Sequence, residues 1–83
     1  MPSIVIIDDD LSVTKLLVHH FKNRGWDALS VETGTDGLQL CEKQPPDIIL
    51  LDMKLPDQDG MAVLKQLQER KCGSSVVIMT GWG

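Results

Sequence analysis

Short apolar runs and amphipathic stretches alternate along the chain. "IVII" (Ile4 to Ile7) is too short for a helix and rich in β-branched residues, which predicts a strand buried on both faces. Between Leu11 and Arg24 the positions Val13, Leu16, Leu17, His20 and Phe21 recur at helical spacing, with Asp10 placed to cap the first turn and Gly25 to close the helix. A weaker strand is expected at about Asp27 to Val31. Thr33 with Asp36 has the form of a capping box, and Leu38, Leu40 and Cys41 mark a second helix that Pro45-Pro46 ends. Asp47 to Leu51 ("DIILL") predicts a second fully buried strand, running into Asp52. A third helix is expected over Met61 to Arg70, with Val63, Leu64 and Leu67 inward, and "SVVIM" (Ser75 to Met79) is the last strand. The order is β-α-β-α-β-α-β, with no linker, repeat or low-complexity segment. Single helices between strands imply parallel pairing, right-handed crossovers and helices on both faces of the sheet.

Composition narrows the function classes. The 83 residues make one domain at most, and 42% apolar with 24% charged residues is ordinary for a globular core. Eight basic against twelve acidic residues give a net charge of −4, which disfavours nucleic acid as a direct partner. No apolar run approaches the roughly 20 residues that cross a bilayer, so no membrane partner is expected. Cys41 and Cys72 match neither a redox nor a zinc spacing and are expected to be reduced, partly buried thiols of a cytoplasmic protein.

In an open parallel sheet, ligands sit beyond the carboxyl ends of the strands. Asp8 and Asp9 follow the first strand, Asp52 the third and Thr80 the fourth. If the first and third strands are neighbours, these residues share one rim. Carboxylates and a hydroxyl gathered without an obvious basic partner describe a site for a hard cation, and Mg²⁺ suits it. The competing reading makes Asp8 to Asp10 a helix cap and Asp52 a loop start. One aspartate suffices for capping, however, and Asp10 is the one in place. His19 and His20 point in different directions on a helix and are expected to be one core-facing and one solvated residue. Asp57 and Asp59 are expected to be loop or helix-start carboxylates rather than ligands. Pro56 stiffens its loop, and Gly60 is expected to supply a positive φ.

Three segments, "IVIIDDD", "PDIILLDMKLPDQDG" and "VVIMTG", occur in the order and spacing of the receiver domain of two-component response regulators, which the whole chain resembles. The strings "LDMKLPDQDG" and "MTGWG" most resemble receivers of sigma-54-dependent transcription activators. The resemblance implies a flavodoxin-like (CheY-like) α/β sheet and a signalling role rather than an enzymatic one. It also implies that Asp52 is the phosphoacceptor, supplied by a histidine kinase. Mg²⁺ would be held by Asp9, Asp52 and the backbone carbonyl of Lys54, with Asp8 acting through water. Thr80 would be the hydroxyl that turns toward the phosphoryl group. A phosphohydrolase with a DxD nucleophile is disfavoured, because Lys54 stands where its second aspartate would be.

Receivers normally continue with a further α-β-α that carries a lysine for the phosphoryl group. Residues 1–83 therefore read as a receiver truncated to βαβαβαβ, with impaired phosphorylation. The strand order 2-1-3-4-5 of such domains would leave the fourth strand as an apolar edge. A homodimer is expected from that, through the edge or through exchange of C-terminal elements. The alternative function is a non-phosphorylatable self-association half-domain. Trp82 is placed either at a subunit contact or in a free terminus.

Overall fold

The computed structural model describes residues 1–79, in seven elements: β1 (Ser3–Ile7), α1 (Leu11–Asn23), β2 (Asp27–Val31), α2 (Gly34–Lys43), β3 (Ile48–Asp52), α3 (Gly60–Glu69) and β4 (Ser75–Met79). Thr80 and Trp82 lie outside the described residues. Each helix starts where a side chain satisfies free N–H groups of the first turn. Asp10 accepts from the Ser12 and Val13 amides at 3.0 and 3.3 Å, Thr33 from Asp36 at 3.1 Å, and Asp59 from Met61 at 2.9 Å. Gly25, at φ 85°, turns the chain out of α1, and the Trp26 amide closes on the Phe21 carbonyl at 3.0 Å.

All strand pairs are parallel, in the order β2-β1-β3-β4, the topology expected for a CheY-like sheet. Period-two alternation sorts their side chains between two faces. Val5, Ile7, Ile49 and Leu51 pack with Leu38 and Cys41 of α2 and Val63 and Leu67 of α3. Ile4, Ile6 and Ala28 pack on the opposite face against Leu17, Val18 and Phe21 of α1. Each fully buried Ile or Leu contributes on the order of 2 kcal/mol of transfer free energy. Two helices cover the first face and one covers the second, so Ile48 and Leu50 are only half-buried and Val77 is 49% exposed. β3 is therefore not buried on both faces as expected. It also begins one residue later than expected, which places Asp52 at its last position, paired with Met79.

The inward stripe of α1 departs from expectation too. Thr14, Leu17, Val18 and Phe21 face the sheet, at the i, i+3, i+4, i+7 spacing of one helical face. Val13 is on the surface and Leu16 is 70% exposed. Thr14 is tolerated inside because its hydroxyl donates to the Leu11 carbonyl at 3.3 Å. Both histidines are exposed, correcting the expectation of one core-facing ring: His20 stands edge-on to Phe21 with centroids 5.4 Å apart, and His19 bonds Asn23 at 3.1 Å. Among the described residues, no helix is long and apolar enough to cross a membrane.

Candidate functional site

Because β1 and β3 are direct neighbours, pairing Ile7 with Leu51, the residues that follow them meet on the carboxyl rim of the sheet. Asp8, Asp9 and Asp52 each bring a carboxylate oxygen to within 4.8 Å of the others. Their environments differ. Asp8 is only 7% exposed, Asp52 is half-buried and Asp9 is open to solvent. The backbone fixes Asp8, whose amide donates to the Val31 carbonyl at 3.1 Å while its carboxylate accepts from the Asp10 amide at 3.0 Å. Asp52 accepts one long bond, 3.4 Å, from the Lys54 amide.

Burial raises the pKa of the Asp8 carboxyl, and the adjacent charges of Asp52 and Asp9 add to the effect, against a lowering by the Asp10 amide. No basic side chain offsets the cluster: among the described residues the one salt bridge, Arg70 with Glu42, lies elsewhere. Three hard oxygen donors, one nearly buried and all repelling one another, have the composition of a divalent-cation site.

The loop after Asp52 is held at both ends. Lys54 and Asp59 form an isolated antiparallel bridge, and the Gly60 amide donates to the Met53 carbonyl at 2.8 Å. A Cβ on Gly60 would lie 2.5 Å from the Asp52 carbonyl oxygen and 2.7 Å from Met53 Cα. Both obstacles are backbone, so Gly60 serves close approach. It has no positive φ, contrary to the expectation; among glycines of the described residues only Gly25 does. Asp59 caps α3, as a helix-start carboxylate should.

Asp57 is a helix-start carboxylate as well, but for a helix that precedes it in the chain. It accepts from the Gly34 and Thr35 amides at 2.9 Å each and from the Thr35 hydroxyl at 2.7 Å, clasping the loop to the N-terminus of α2. These bonds hold its carboxyl well below the usual carboxylate range. The contact could not be read from spacing, because it joins segments that meet only once β1 separates β2 from β3 in the sheet. Asp8, Asp9 and Asp52 are thus brought together as expected, the contact of Lys54 with them is its amide donating to Asp52, and Thr80 falls outside the described residues.

The comparisons with known proteins agree with this arrangement. The family model for the response regulator receiver domain matches residues 4–83. Sporulation initiation phosphotransferase F of Bacillus subtilis is 35% identical over 80 residues, which are 96% of this chain and 64% of that protein. The alkaline phosphatase synthesis transcriptional regulatory protein PhoP of the same organism is 34% identical over 77 residues, 93% of this chain and 32% of the relative. Among solved structures, the signal receiver domain of a Luxo repressor protein from Vibrio parahaemolyticus superposes with a TM-score of 0.91 at 35% identity, covering 99% of this chain and 63% of that one. The chain therefore spans between about a third and two thirds of the length of these relatives. With β2-β1-β3-β4 topology, an acidic triad on the carboxyl rim and a family match from Ile4 onward, the chain belongs to the response regulator receiver domain family.

Proposed function

We propose that this chain is the phosphoacceptor module of a two-component system, taking a phosphoryl group on Asp52 from a phosphohistidine of a histidine kinase. The observation that carries the reading is the convergence of Asp8, Asp9 and Asp52 within 4.8 Å, with no cation paired to them among the described residues. Mg²⁺ fits the donor set: Asp9, Asp52 and the Lys54 carbonyl would hold it directly and Asp8 through water. Bound there, it supplies the positive charge that lets an anionic nucleophile approach an anionic phosphoryl group.

An Asp52 carboxylate oxygen forms the new bond to phosphorus as the donor's P–N bond breaks. The electron pair stays on the imidazole nitrogen, which takes up a proton. Asp52 is suited to attack because it is half-exposed at the strand end and accepts only the long Lys54 bond. Thr80 is the proposed switch hydroxyl, turning toward the added charge. The module is modified rather than turning over a substrate. A cytoplasmic location accords with two free cysteines. The name of the PhoP relative supports transcription regulation as the output.

The test is acetyl phosphate with and without Mg²⁺, read by intact mass. One phosphoryl group should be added to the wild type in Mg²⁺, none in EDTA, and none to Asp52→Asn. No addition in Mg²⁺, or addition that persists in Asp52→Asn, overturns the reading.

A second reading, association of two copies along β4, is favoured by the edge position of that strand and by Val77 and Ile78, which are exposed on it. It predicts a dimer in sedimentation at micromolar concentration, and a monomer refutes it.

A further inference from the structure

Cys41 and Cys72 are far apart in sequence and together in the fold. Cys41 sits in the last turns of α2, 4% exposed, in the cluster it shares with Leu38 and Leu67. Cys72 follows the end of α3. Lys71, at φ 53°, takes a left-handed conformation there and folds the chain back, so that the Cys72 amide donates to the Leu67 carbonyl at 3.1 Å. That turn packs Cys72 against the cluster containing Cys41. The two side chains thus meet at one edge of the same apolar cluster, and Cys72 is among the neighbours that raise the pKa of the Cys41 thiol. They line one open cavity of about 250 Å³, together with Glu42, Arg70 and Lys71. Neither sulfur takes part in the acidic site, which occupies the opposite rim of the sheet.

We propose that Cys41 and Cys72 are a reversible redox pair, which a low-molecular-weight disulfide oxidises to an intramolecular disulfide joining α2 to the α3–β4 connection. Their exposure assigns the two roles. Cys72 is partly open to solvent and its sulfur lies 3.4 Å from the Ser74 hydroxyl, so it is the attacking thiol. Cys41 is enclosed, and burial first, then its neighbour Cys72, pushes its thiol up to about 11. It is the resolving thiol.

In the first step the Cys72 thiolate attacks one sulfur of glutathione disulfide. The S–S bond breaks, one glutathione leaves as thiolate and takes up a proton, and Cys72 carries a mixed disulfide. In the second step Cys41 gives up its proton and attacks the Cys72 sulfur, expelling the second glutathione, which takes up a proton. Two protein thiols are oxidised and one disulfide is reduced to two thiols, with no further oxidant. With Arg70 paired to Glu42, Lys71 leaves the cavity mouth net positive, which favours the approach of an anionic disulfide such as this one.

The bond would stabilise the domain by restricting its unfolded chain, which makes stability depend on the thiol–disulfide balance around it. The experiment incubates the whole chain with glutathione disulfide, blocks remaining thiols with iodoacetamide and maps peptides. The two thiols should disappear together, a Cys41–Cys72 peptide should appear, and dithiothreitol should restore both. The oxidised chain should melt at least about 5 °C higher than the reduced one. Cys41→Ser should stop at one glutathione on Cys72, and Cys72→Ser should stay unmodified while folded. A stable Cys72–glutathione adduct in the wild type, a disulfide between two chains, or cross-linking only in denaturant would overturn the proposal.

Discussion

The two rims of the sheet are built from the same parallel strands, yet they treat carboxylates in opposite ways. On the amino rim, Asp47 is taken up by a strand partner: one carboxylate oxygen accepts from the Ser3 amide at 2.8 Å and the Ser3 hydroxyl at 3.3 Å, and the Asp47 amide donates back to that side of β1. The Ser75 amide closes on the Asp47 carbonyl at 3.0 Å, and Ser74 bonds Pro46. On the carboxyl rim three carboxylates face one another, two of them, Asp8 and Asp52, accepting amides of their own loops, and no basic group among the described residues opposes them. The first rim spends its polar groups on joining strands. The second keeps charge unneutralised where a ligand of opposite sign can reach it. A polar residue at a strand end is therefore not informative by its type; what matters is whether its partners are already present.

The largest effect should come from moving the backbone under the acidic rim. Gly60→Ala drives a methyl group into the Asp52 carbonyl and Met53, which cannot yield as a side chain would. It should cost about 2–3 kcal/mol in urea denaturation and slow acyl-phosphate formation by roughly tenfold or more. An effect on stability alone would separate Gly60 from the site.

Next comes the buried thiol near the amino rim. Cys41 has a folded pKa of about 11 against an ordinary 9.0, so stability is intact below pH 9 and is lost as the pH climbs through 11. The loss should approach roughly 2 kcal/mol. Melts of reduced wild type and Cys41→Ala across this range isolate the term, because the variant should show a flatter alkaline arm. Parallel arms would mean that Cys41 ionises in the folded state as readily as in the unfolded one.

Asp47→Ala should cost about 1 kcal/mol by releasing Ser3, while leaving acyl-phosphate formation within about twofold of wild type. A large loss of phosphorylation would show that the two rims are not independent. The smallest effect belongs to Asp57→Ala, which frees the N-terminus of α2. The folded pKa of Asp57 is depressed, so its contribution is present above the ordinary carboxylate value of 3.8 and is lost as the pH falls through and below it. The variant should melt a few degrees lower at neutral pH and converge on wild type in acid, as read by circular dichroism.

Much of this was legible in the sequence, and the misses share a cause. β1, the caps at Asp10 and Thr33, and the convergence of Asp8, Asp9 and Asp52 follow from local patterns plus one topological rule. Apolar type alone puts Val13 and Leu16 on the inward face of α1, yet both are exposed. The stripe is set by which residues meet the sheet, and Thr14 qualifies once its hydroxyl is satisfied locally. A glycine in a loop suggests a special φ, whereas what Gly60 requires is the absence of a side chain against Asp52. Asp57 on α2 and the adjacency of Cys41 and Cys72 were invisible, because each joins segments separated by other elements and leaves no periodic trace.

The unneutralised charge of the carboxyl rim is tested most directly by thermal unfolding in EDTA and in millimolar Mg²⁺, for wild type and for Asp9→Asn. A cation that binds only the folded rim should raise the wild-type melting temperature by about 5 °C or more and leave Asp9→Asn nearly unmoved. Identical melts of the wild type with and without Mg²⁺ would contradict the account, and the three aspartates would then be a cluster without a cation.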